Sequence, residues 1–282
     1  MSERVLHRHI SPSAHFTAYV WYRRGLSDAA FVSLFGRFSH AVLRPVMWAS
    51  RKFFDLDLER MLLLRHLQID ADLQRAIEID GVCQVVEIAC GLSPRGYRFT
   101  QRYPQLHYIE ADLPAMAGRK GQLLAENQWL SNTHQVVSVD VFAEDGPFRL
   151  ANAFAQLNRS EPVVVITEGL VNYFSLDQIE LFWTRLAEQL RPFCAASYVT
   201  DLYPELHLHP RYRQIRWGVD LVGRLTRGEY FLHYADADAI AEGFNACGFA
   251  DVAVVDPSLR AKDLGLPLST LPGLVRVVHA RT

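Results

Sequence analysis

Acidic side chains and a glycine turn are the residues of this 282-residue chain whose types and spacing could bind a ligand. The segment Val85–Gly96 reads VVEIACGLSPRG, in which Glu87 and Gly91 form an E-x-x-x-G turn after an apolar run. A glycine at the end of a buried strand lets the backbone approach a ligand closely. Because Ala89 occupies the first glycine position of the G-x-G-x-x-G pattern, a pyrophosphate site is disfavoured. The carboxylate of Glu87 instead favours a cation.

A second acidic pair follows the next apolar run, in YIEADLP. Glu110 and Asp112 lie about 20 residues after Gly91, the offset at which an acidic side chain accepts hydrogen bonds from ribose hydroxyls. Asp112 can also be the N-cap of a helix with Pro114 at its first position, and the two roles are compatible. A cation that carries a ribose fits both segments. S-adenosyl-L-methionine is such a molecule, because it is cationic at its sulfur and its amine.

Alternating strands and helices must position these residues. Short apolar runs at residues 82–88, 107–110, 135–139, 163–167 and 195–199 predict strands, and most segments between them can hold a crossover helix. This pattern predicts an α/β fold, a doubly wound and mostly parallel Rossmann-like sheet with an antiparallel C-terminal strand at 274–279. The clearest helix is predicted at 176–190, where Ser175 and Gln178 form a capping box.

The remaining length predicts a cap and a lid on one structural domain. Residues 1–80 are largely helical in pattern and form an N-terminal cap, and residues 81–282 form the catalytic domain with a helical lid inserted at about 201–235. A further helix is predicted from Asp236, as N-cap, to residue 247. We expect aromatic residues of the cap to exclude water and select the substrate, namely Tyr19, Trp21 and Tyr22.

Composition excludes several classes of protein. The 29 basic and 31 acidic residues give a net charge of -2, which argues against a general nucleic-acid binder. No apolar run is long enough to span a bilayer, and the start of the chain lacks a signal-peptide pattern. Four cysteines without a C-x-x-C pair favour buried reduced thiols. We therefore expect a cytoplasmic protein with small-molecule partners and neither a nucleic-acid nor a membrane partner.

Three blocks in order resemble the leucine carboxyl methyltransferase family of class I S-adenosylmethionine-dependent methyltransferases, including its bacterial polyketide-type O-methyltransferases. They are VVEIACGLSPR at 85–95, EADLP with Lys120 at 110–120, and TEGLVNYF at 167–174. The family typically shows a G-x-G-L-D-T-R turn, a V-D-x-P segment and an A-E-G-L-x-x-Y-L segment. This chain departs from it at Ala89 and at Ser93-Pro94.

The resemblance implies a class I methyltransferase fold, S-adenosyl-L-methionine as cofactor and transfer of its methyl group to an oxygen. It implies cofactor contacts at Gly91, at Arg95 near the methionine end, at Asp112 on the ribose, at Asp140 on the adenine, at Glu168 on the amino group or the transfer site, and at Arg65 on the carboxylate. With Glu87 and Glu110 from the motifs above, these residues are the expected cofactor site.

Several assignments stay open at the level of sequence. Tyr173 either faces the substrate or packs in the core, and His233 is either a base for a hydroxyl acceptor or a surface histidine. The pair His207 and His209 has no third ligand in place, so no metal is expected. A basic cluster could attract an anionic or carrier-bound acceptor or form a solvated helix face; its members are Arg211, Arg213, Arg216, Arg224 and Arg227, with Tyr212 and Trp217 among them.

Two other functions are compatible with the residues. A nicotinamide-dependent oxidoreductase shares the acidic residue after the second strand but needs the missing glycine. A catalytically silent scaffold would keep the fold and lose the cofactor, for which Ala89 and Ser93-Pro94 are the best support. The identity of the acceptor and the oligomeric state are open.

Overall fold

A computed structural model describes residues 12–207, 209–218 and 230–282 of the chain. Seven strands form one sheet in the order β3-β2-β1-β4-β5-β7-β6. Their bounds are Gln84–Ile88 (β1), His107–Asp112 (β2), His134–Ser138 (β3), Val163–Thr167 (β4), Ala196–Leu202 (β5), Ala250–Val255 (β6) and Arg276–Arg281 (β7). β1 pairs with β2 and β2 with β3 in parallel, whereas β7 is antiparallel to β5 and β6. The predicted fold class is confirmed.

Eight helices are described in full. They are Pro12–Arg23 (α1), Leu34–Phe54 (α2), Leu58–Glu78 (α3), Arg95–Arg102 (α4), Pro114–Glu126 (α5), Ala151–Phe154 (α6), Leu176–Leu190 (α7) and Ala237–Ala246 (α8). Three short 3-10 helices lie at Ala29–Phe31, Val171–Tyr173 and Pro257–Arg260. Within the described residues, no helix has both the length and the apolar character needed to cross a membrane.

The chain divides into two compact units that interleave in sequence. The first comprises Met1–Val42 and Val82–Ile166, and the second comprises Leu43–Gly81 and Thr167–Thr282. The cap was expected to end at residue 80. The chain passes from the second unit to the first one residue later, between Gly81 and Val82. The chain also crosses between the units after Val42 and after Ile166.

The first unit contains the glycine turn and the parallel strands. β1 is buried along its whole length, as is β4, whose run of Val163 to Ile166 has no exposed side chain. Continuous β-branched runs of this kind are typical of strands covered on both faces. Gln84 fixes the start of β1, because its side-chain oxygen accepts the backbone N–H of Asn158 at 2.7 Å.

The second unit packs α7 and α8 on an aromatic core. Ile179, Phe182 and Leu186 are fully buried along α7 and form its apolar stripe. The ring of Trp183 lies 4.1 Å from that of Phe244 in α8. Both predicted caps are present: Ser175 donates its N–H to Gln178 Oε1 at 3.1 Å, and Asp236 Oδ1 accepts the N–H of Ala239 at 2.9 Å.

Several predicted boundaries differ from the structure by one to three residues; β1 begins at Gln84 rather than at residue 82, for example, and β5 ends at Leu202 rather than at residue 199. The last strand begins at Arg276 rather than Leu274, because β5 ends at Leu202 and the antiparallel ladder starts where Leu202 meets Arg276. In the predicted lid, the first two residues, 201 and 202, belong to β5. Residues 212–218 are helical, and residues 219–229, with Arg224 and Arg227, lie outside the described residues.

Candidate active site

The carboxylate of Asp112 is held by two backbone N–H groups at the end of β2. Gly91 N donates to Oδ2 at 2.7 Å and Leu113 N donates to Oδ1 at 2.7 Å. Each oxygen can accept a further hydrogen bond, and Asp112 is half-buried rather than enclosed. Burial raises the pKa of Asp112 above its ordinary value, and the two N–H groups partly offset this rise. The expected N-cap role is wrong, since Leu113 is the N-cap of α5 and Asp112 precedes it.

The turn that supplies the Gly91 N–H is strained. Gly91 has φ +50° and Ala89 has φ +54°, both in the left-handed region. A side chain at Ala89 costs about 1–2 kcal/mol in this conformation, which glycine avoids. The family's usual glycine at this position would therefore relieve strain in the turn. A Cβ on Gly91 would lie 3.6 Å from Ala14 of α1, which the sequence had not indicated as a neighbour.

Glu87 and Arg95 form a buried ion pair inside the first unit. Arg95 Nη1 donates to Glu87 Oε1 at 2.5 Å, and the Tyr108 hydroxyl donates to Oε2 at 2.7 Å. Glu87 is 1% exposed and Arg95 is fully buried. Both oxygens of Glu87 thus have protein partners. The expected contacts of Glu87 and Arg95 with a cofactor are replaced by a contact that holds α4 against β1.

Glu110 is also enclosed rather than presented to a ligand. Lys120 Nζ lies 3.1 Å from Glu110 Oε2 and His134 Nε2 lies 3.7 Å from Oε1. Burial by itself would raise the pKa of Glu110, but the Lys120 ammonium more than offsets it and the pKa is lowered. A Cβ on Gly96 of α4 would lie within 3 Å of the Glu110 carboxylate. Glu110 is therefore enclosed in an ion pair, whereas the Asp112 carboxylate is only half-buried.

Asp140 follows β3 and closes its own turn. Its Oδ1 accepts the N–H of Phe142 at 3.0 Å, and its N–H donates to the carbonyl of Phe148 at 2.7 Å. These contacts leave the side chain half-buried, and contact of Asp140 with an adenine stays a prediction.

The three aromatic residues of α1 do not share a face. Tyr19 stacks on Tyr22 with ring centroids 6.4 Å apart and meets His40 edge-on at 5.1 Å. Trp21 is 5% exposed and lies in the core of the first unit. Because each residue of a helix advances by about 100°, the side chains of Tyr19 and Trp21 point about 200° apart. Trp21 is therefore a packing residue, and only Tyr19 and Tyr22 remain candidates for contact with a substrate.

In the second unit, Glu168 is held by two neighbours on α3. Arg65 Nε donates to Glu168 Oε1 at 3.2 Å, and His66 Nδ1 lies 2.8 Å from Oε2. Gly169, with φ +69°, brings the backbone so close to α3 that a Cβ would lie 2.8 Å from Arg65 Nη2. The structure thus brings together two residues that the sequence assigned to the cofactor separately.

Asp201, at the end of β5, holds the other side of the Arg65 guanidinium. Arg65 Nη1 donates to Asp201 Oδ2 at 3.1 Å, while Gly169 N donates to Oδ1 at 2.6 Å. Burial raises the pKa of Asp201 and Arg65 partly lowers it; burial lowers the pKa of Arg65, but Asp201 and Glu168 raise it overall. Sequence reasoning missed Asp201 and His66. Asp201 could have been found by the strand-end rule that singled out Asp112.

Tyrosines surround this acidic cluster. The Tyr203 hydroxyl accepts from Arg65 Nη1 at 3.4 Å, and the ring of Tyr230 lies 5.3 Å from that of Tyr173 and 6.1 Å from that of Tyr203. Burial raises the pKa of Tyr203 to about 12, so its hydroxyl stays protonated at neutral pH. Tyr173 is half-buried and belongs to this group of rings.

His233 is buried rather than on the surface. It is 4% exposed, and its Nε2 has no hydrogen-bond partner among the residues that the structure describes. Burial lowers its pKa, an effect that the backbone carbonyls of Phe174 and Val171 partly offset. The lowered pKa keeps the imidazole neutral at neutral pH, and a neutral imidazole has one nitrogen that can accept a proton.

The remaining polar candidates have ordinary partners. His207 is exposed, and its Nε2 lies 2.9 Å from Glu205 Oε2. His209 Nε2 lies 3.2 Å from the carbonyl oxygen of Pro272. Within 12–207, 209–218 and 230–282, no group of three His, Cys, Asp or Glu side chains could hold a metal ion. Of the basic cluster, Arg211, Arg213 and Arg216 are described, and Trp217 beside them is 63% exposed. Cys90 and Cys247 are buried as expected, whereas Cys194 is exposed.

Comparisons with known proteins agree with this architecture. The family model for leucine carboxyl methyltransferase matches residues 37–187, just over half of the chain. A protein of Streptomyces coelicolor, named as an S-adenosyl-L-methionine-dependent methyltransferase, is 32% identical over 120 residues, which are 42% of this chain and 41% of that relative. The match therefore spans less than half the length of the curated relative.

Two solved structures share the fold over nearly the whole chain. A DUF574 family protein from Streptomyces avermitilis has a TM-score of 0.63 at 15% identity and covers 98% of this chain and 99% of its own. A methyltransferase from Thermobifida fusca has a TM-score of 0.61 at 14% identity, with 95% and 94% covered. At these identities the similarity concerns the fold alone.

Proposed function

The chain belongs to the leucine carboxyl methyltransferase family, and we propose that it binds S-adenosyl-L-methionine and transfers the methyl group to an oxygen of a small-molecule or carrier-bound acceptor. The S. coelicolor relative, whose name gives this cofactor, supports the proposal. The acceptor class, a place in polyketide-type metabolism and a cytoplasmic location are predictions from sequence.

The observation that carries the proposal is the Asp112 carboxylate on the two N–H groups at the end of β2. Its oxygens point in fixed directions and each has a lone pair left, so a ribose could donate both of its hydroxyls to one carboxylate. The left-handed turn at Gly91 leaves no side chain over the N–H that fixes Asp112. The residues present thus fit the nucleoside part of the cofactor.

Roles for other residues complete the proposal. Asp140 would meet the adenine, and Gly91 would lie against the nucleoside. In the second unit, Arg65 would bind the cofactor carboxylate and Glu168 its amino group. The carboxylates of Glu168 and Asp201 outnumber the Arg65 guanidinium, so this cluster favours an added positive charge.

The reaction itself asks little covalent chemistry of the protein. When bound, the cofactor supplies an electrophilic methyl group on a sulfonium. The chain must exclude water and hold the acceptor oxygen in line with the methyl carbon, and such positioning can lower a barrier by about 7–11 kcal/mol. A carboxylate acceptor needs no base. For a hydroxyl acceptor, we propose that His233 removes the proton, because its lowered pKa keeps the imidazole neutral and its Nε2 has no hydrogen-bond partner among the described residues.

Release of S-adenosylhomocysteine tests this proposal. The protein would be incubated with the cofactor and with separate pools of small carboxylic acids and of phenols and alcohols, beside a His233→Gln variant. We expect release with one pool. If the acceptor is a hydroxyl, His233→Gln should lower kcat by about 10²–10⁴-fold; if it is a carboxylate, the variant should change kcat little. Cofactor binding without release in either pool would contradict methyl transfer to these two acceptor classes, whereas a silent scaffold would not bind the cofactor at all.

A further inference from the structure

Helix α2 exposes an apolar face that the proposed reaction does not use. The structure describes all of its 21 residues, and only Gly36 and His40 are buried. Leu34 is 84% exposed, Phe38 67% and Trp48 51%. The large apolar side chains exposed on this helix are Leu34, Phe35, Phe38, Val42, Val46, Trp48, Phe53 and Phe54. Exposed apolar residues are common singly, but a contiguous set of this size marks an interaction surface.

Six of these eight exposed residues fall on one side of the helix. At about 100° per residue, Leu34, Phe35, Phe38, Val42, Val46 and Phe53 lie within roughly 120° of each other, whereas Trp48 and Phe54 lie outside this range. Gly36 and His40, which face the protein, lie on a different side. We call the six-residue stripe the apolar face of α2. Because the stripe runs for almost the whole helix, its occupant must be long and flat.

The charges of α2 all have one sign. Arg37, Arg44 and Arg51 recur every seven residues and form a basic ridge, and Lys52 lies with its Nζ 4.7 Å from the Trp48 ring. All four are exposed. The helix contains no Asp or Glu. Pairing with the same helix of a second copy would bring four cations against four cations, so charge disfavours it.

We propose that α2 lies in the plane of an anionic lipid surface, with its apolar face in the headgroup region and its cations among the lipid phosphates. An apolar face with aromatic and leucine residues, flanked by arginines, is a feature of helices that lie on membranes. At about 100° per residue, Arg37, Arg44 and Arg51 flank the apolar face of α2, and Lys52 lies at its edge. The expectation of no membrane partner rested on the lack of a spanning segment. A helix that lies on a surface needs none.

Vesicle binding tests the proposal with the full chain. Co-sedimentation would compare vesicles of phosphatidylcholine with vesicles that also contain phosphatidylglycerol. We expect binding to the anionic vesicles, weaker by about tenfold or more on the neutral ones and at high salt. Arg44→Glu should weaken anionic binding and leave the circular dichroism spectrum unchanged, because Arg44 is exposed.

Two leucines of equal exposure provide a matched pair of variants. Leu34 in α2 and Leu259 outside it are both 84% exposed. Leu34→Glu should weaken vesicle binding by about tenfold or more, and Leu259→Glu should leave it unchanged. Equal effects of the two variants, or no binding to anionic vesicles, would overturn the proposal. So would a dimer in sedimentation velocity that Leu34→Glu dissociates while vesicles stay unbound, since the apolar face would then belong to a second copy.

The test does not depend on the proposed methyl transfer. Binding to vesicles is measured without cofactor or acceptor, and neither leucine lies in the residues assigned to the reaction. Loss of vesicle binding would leave the methyltransferase proposal as it stands, and failure of methyl transfer would leave the vesicle result unaffected.

Discussion

Two carboxylates, one in each unit, are held by pairs of hydrogen bonds that fix the direction of their oxygens. Asp112 is held by the backbone at Gly91 and Leu113, and Glu168 by the side chains of Arg65 and His66. The first arrangement leaves lone pairs for hydroxyl donors, and the second places a carboxylate beside a buried guanidinium. At the scale of single residues, cofactor binding should depend on both.

The raised pKa of Asp112 predicts how cofactor affinity depends on pH. The ionised carboxylate accepts the ribose hydroxyls, and burial shifts its ionisation to a higher pH than the ordinary value of about 3.9. Affinity for S-adenosylhomocysteine should therefore be constant near neutral pH and fall as the pH drops through the raised pKa. Titrations at a series of pH values would show this. In the Asp112→Asn variant, which cannot ionise, this fall in affinity should be absent. If the variant shows the same pH profile as the wild type, Asp112 is not the residue that binds the ribose.

His66 is predicted to be a positioning residue for Glu168. Its Nδ1 lies 2.8 Å from Glu168 Oε2, and an asparagine can place a donor at a similar position. If Glu168 binds the cofactor, His66→Leu should reduce kcat/KM by about 10–100-fold, as expected for the loss of a hydrogen bond to a charged group, and His66→Asn should reduce it less. Steady-state kinetics give the ratio, with thermal unfolding as the check on folding. Equal losses in the two variants would mean that His66 matters only for packing.

At the scale of elements, the turns after β1 and β4 place these residues. Both turns contain left-handed backbone, at Ala89 and Gly91 in the first and at Gly169 in the second. In the second turn glycine is favoured for two reasons: its φ lies in the left-handed region, and a Cβ at this position would lie too close to Arg65. The positions of Asp112 and Glu168 therefore depend on the backbone of neighbouring turns.

Replacement of Gly169 by alanine should destabilise the protein more than an equivalent change elsewhere. Gly265 has φ +70°, against +69° for Gly169, but no atom lies within 4 Å of its virtual Cβ. Gly265→Ala should cost about 1–2 kcal/mol from backbone strain alone. Gly169→Ala should cost about 1–3 kcal/mol more, because Arg65 must move from its two carboxylates. Urea denaturation of both variants measures the difference, and equal costs would show that Arg65 moves freely.

The sequence predicted the elements better than the contacts between them. The bounds of β4 and α7 were predicted to the residue, because a continuous apolar run and a capping box are local signals. The start of β7 was missed by two residues, since the length of β5 sets it. Glu87, Glu110 and Trp21 were assigned to ligands but are enclosed by other residues. Sequence spacing alone does not show which of two acids on a strand has a buried cation beside it.

At the scale of the whole molecule, buried histidines make the folded state more stable near neutral pH than in mild acid. Burial lowers the pKa of His15, His233 and His279.

The contact of Arg65 with Glu168 spans 103 residues of sequence, and no pattern within either segment specified it. The sequence thus established the fold class and named both residues, whereas the ion pair and the buried state of His233 required the structure.

These histidines predict a loss of stability on mild acidification. A group whose pKa is lower in the folded than in the unfolded state binds protons mainly when the chain unfolds, so the stability it supports is present above about pH 6.5 and lost as the pH falls. The raised pKa values of Asp112 and Asp201 act in the opposite direction, closer to their own ionisation range. The Tm should fall between pH 7.5 and about 5.5, by scanning calorimetry. His233→Gln should make this fall smaller; a Tm that rises over the same range would contradict the assignment.

Titration calorimetry with S-adenosyl-L-methionine is the measurement that tests the central claim most directly. The wild-type chain should bind one molecule, NAD(P)H should not bind, and Asp112→Ala should weaken binding by about tenfold or more. Asp145→Ala, which removes an exposed acid of the same unit, should leave binding unchanged. Binding of NAD(P)H alone would indicate an oxidoreductase, and binding of neither would indicate a scaffold. Either result would contradict the assignment of this chain as a methyltransferase.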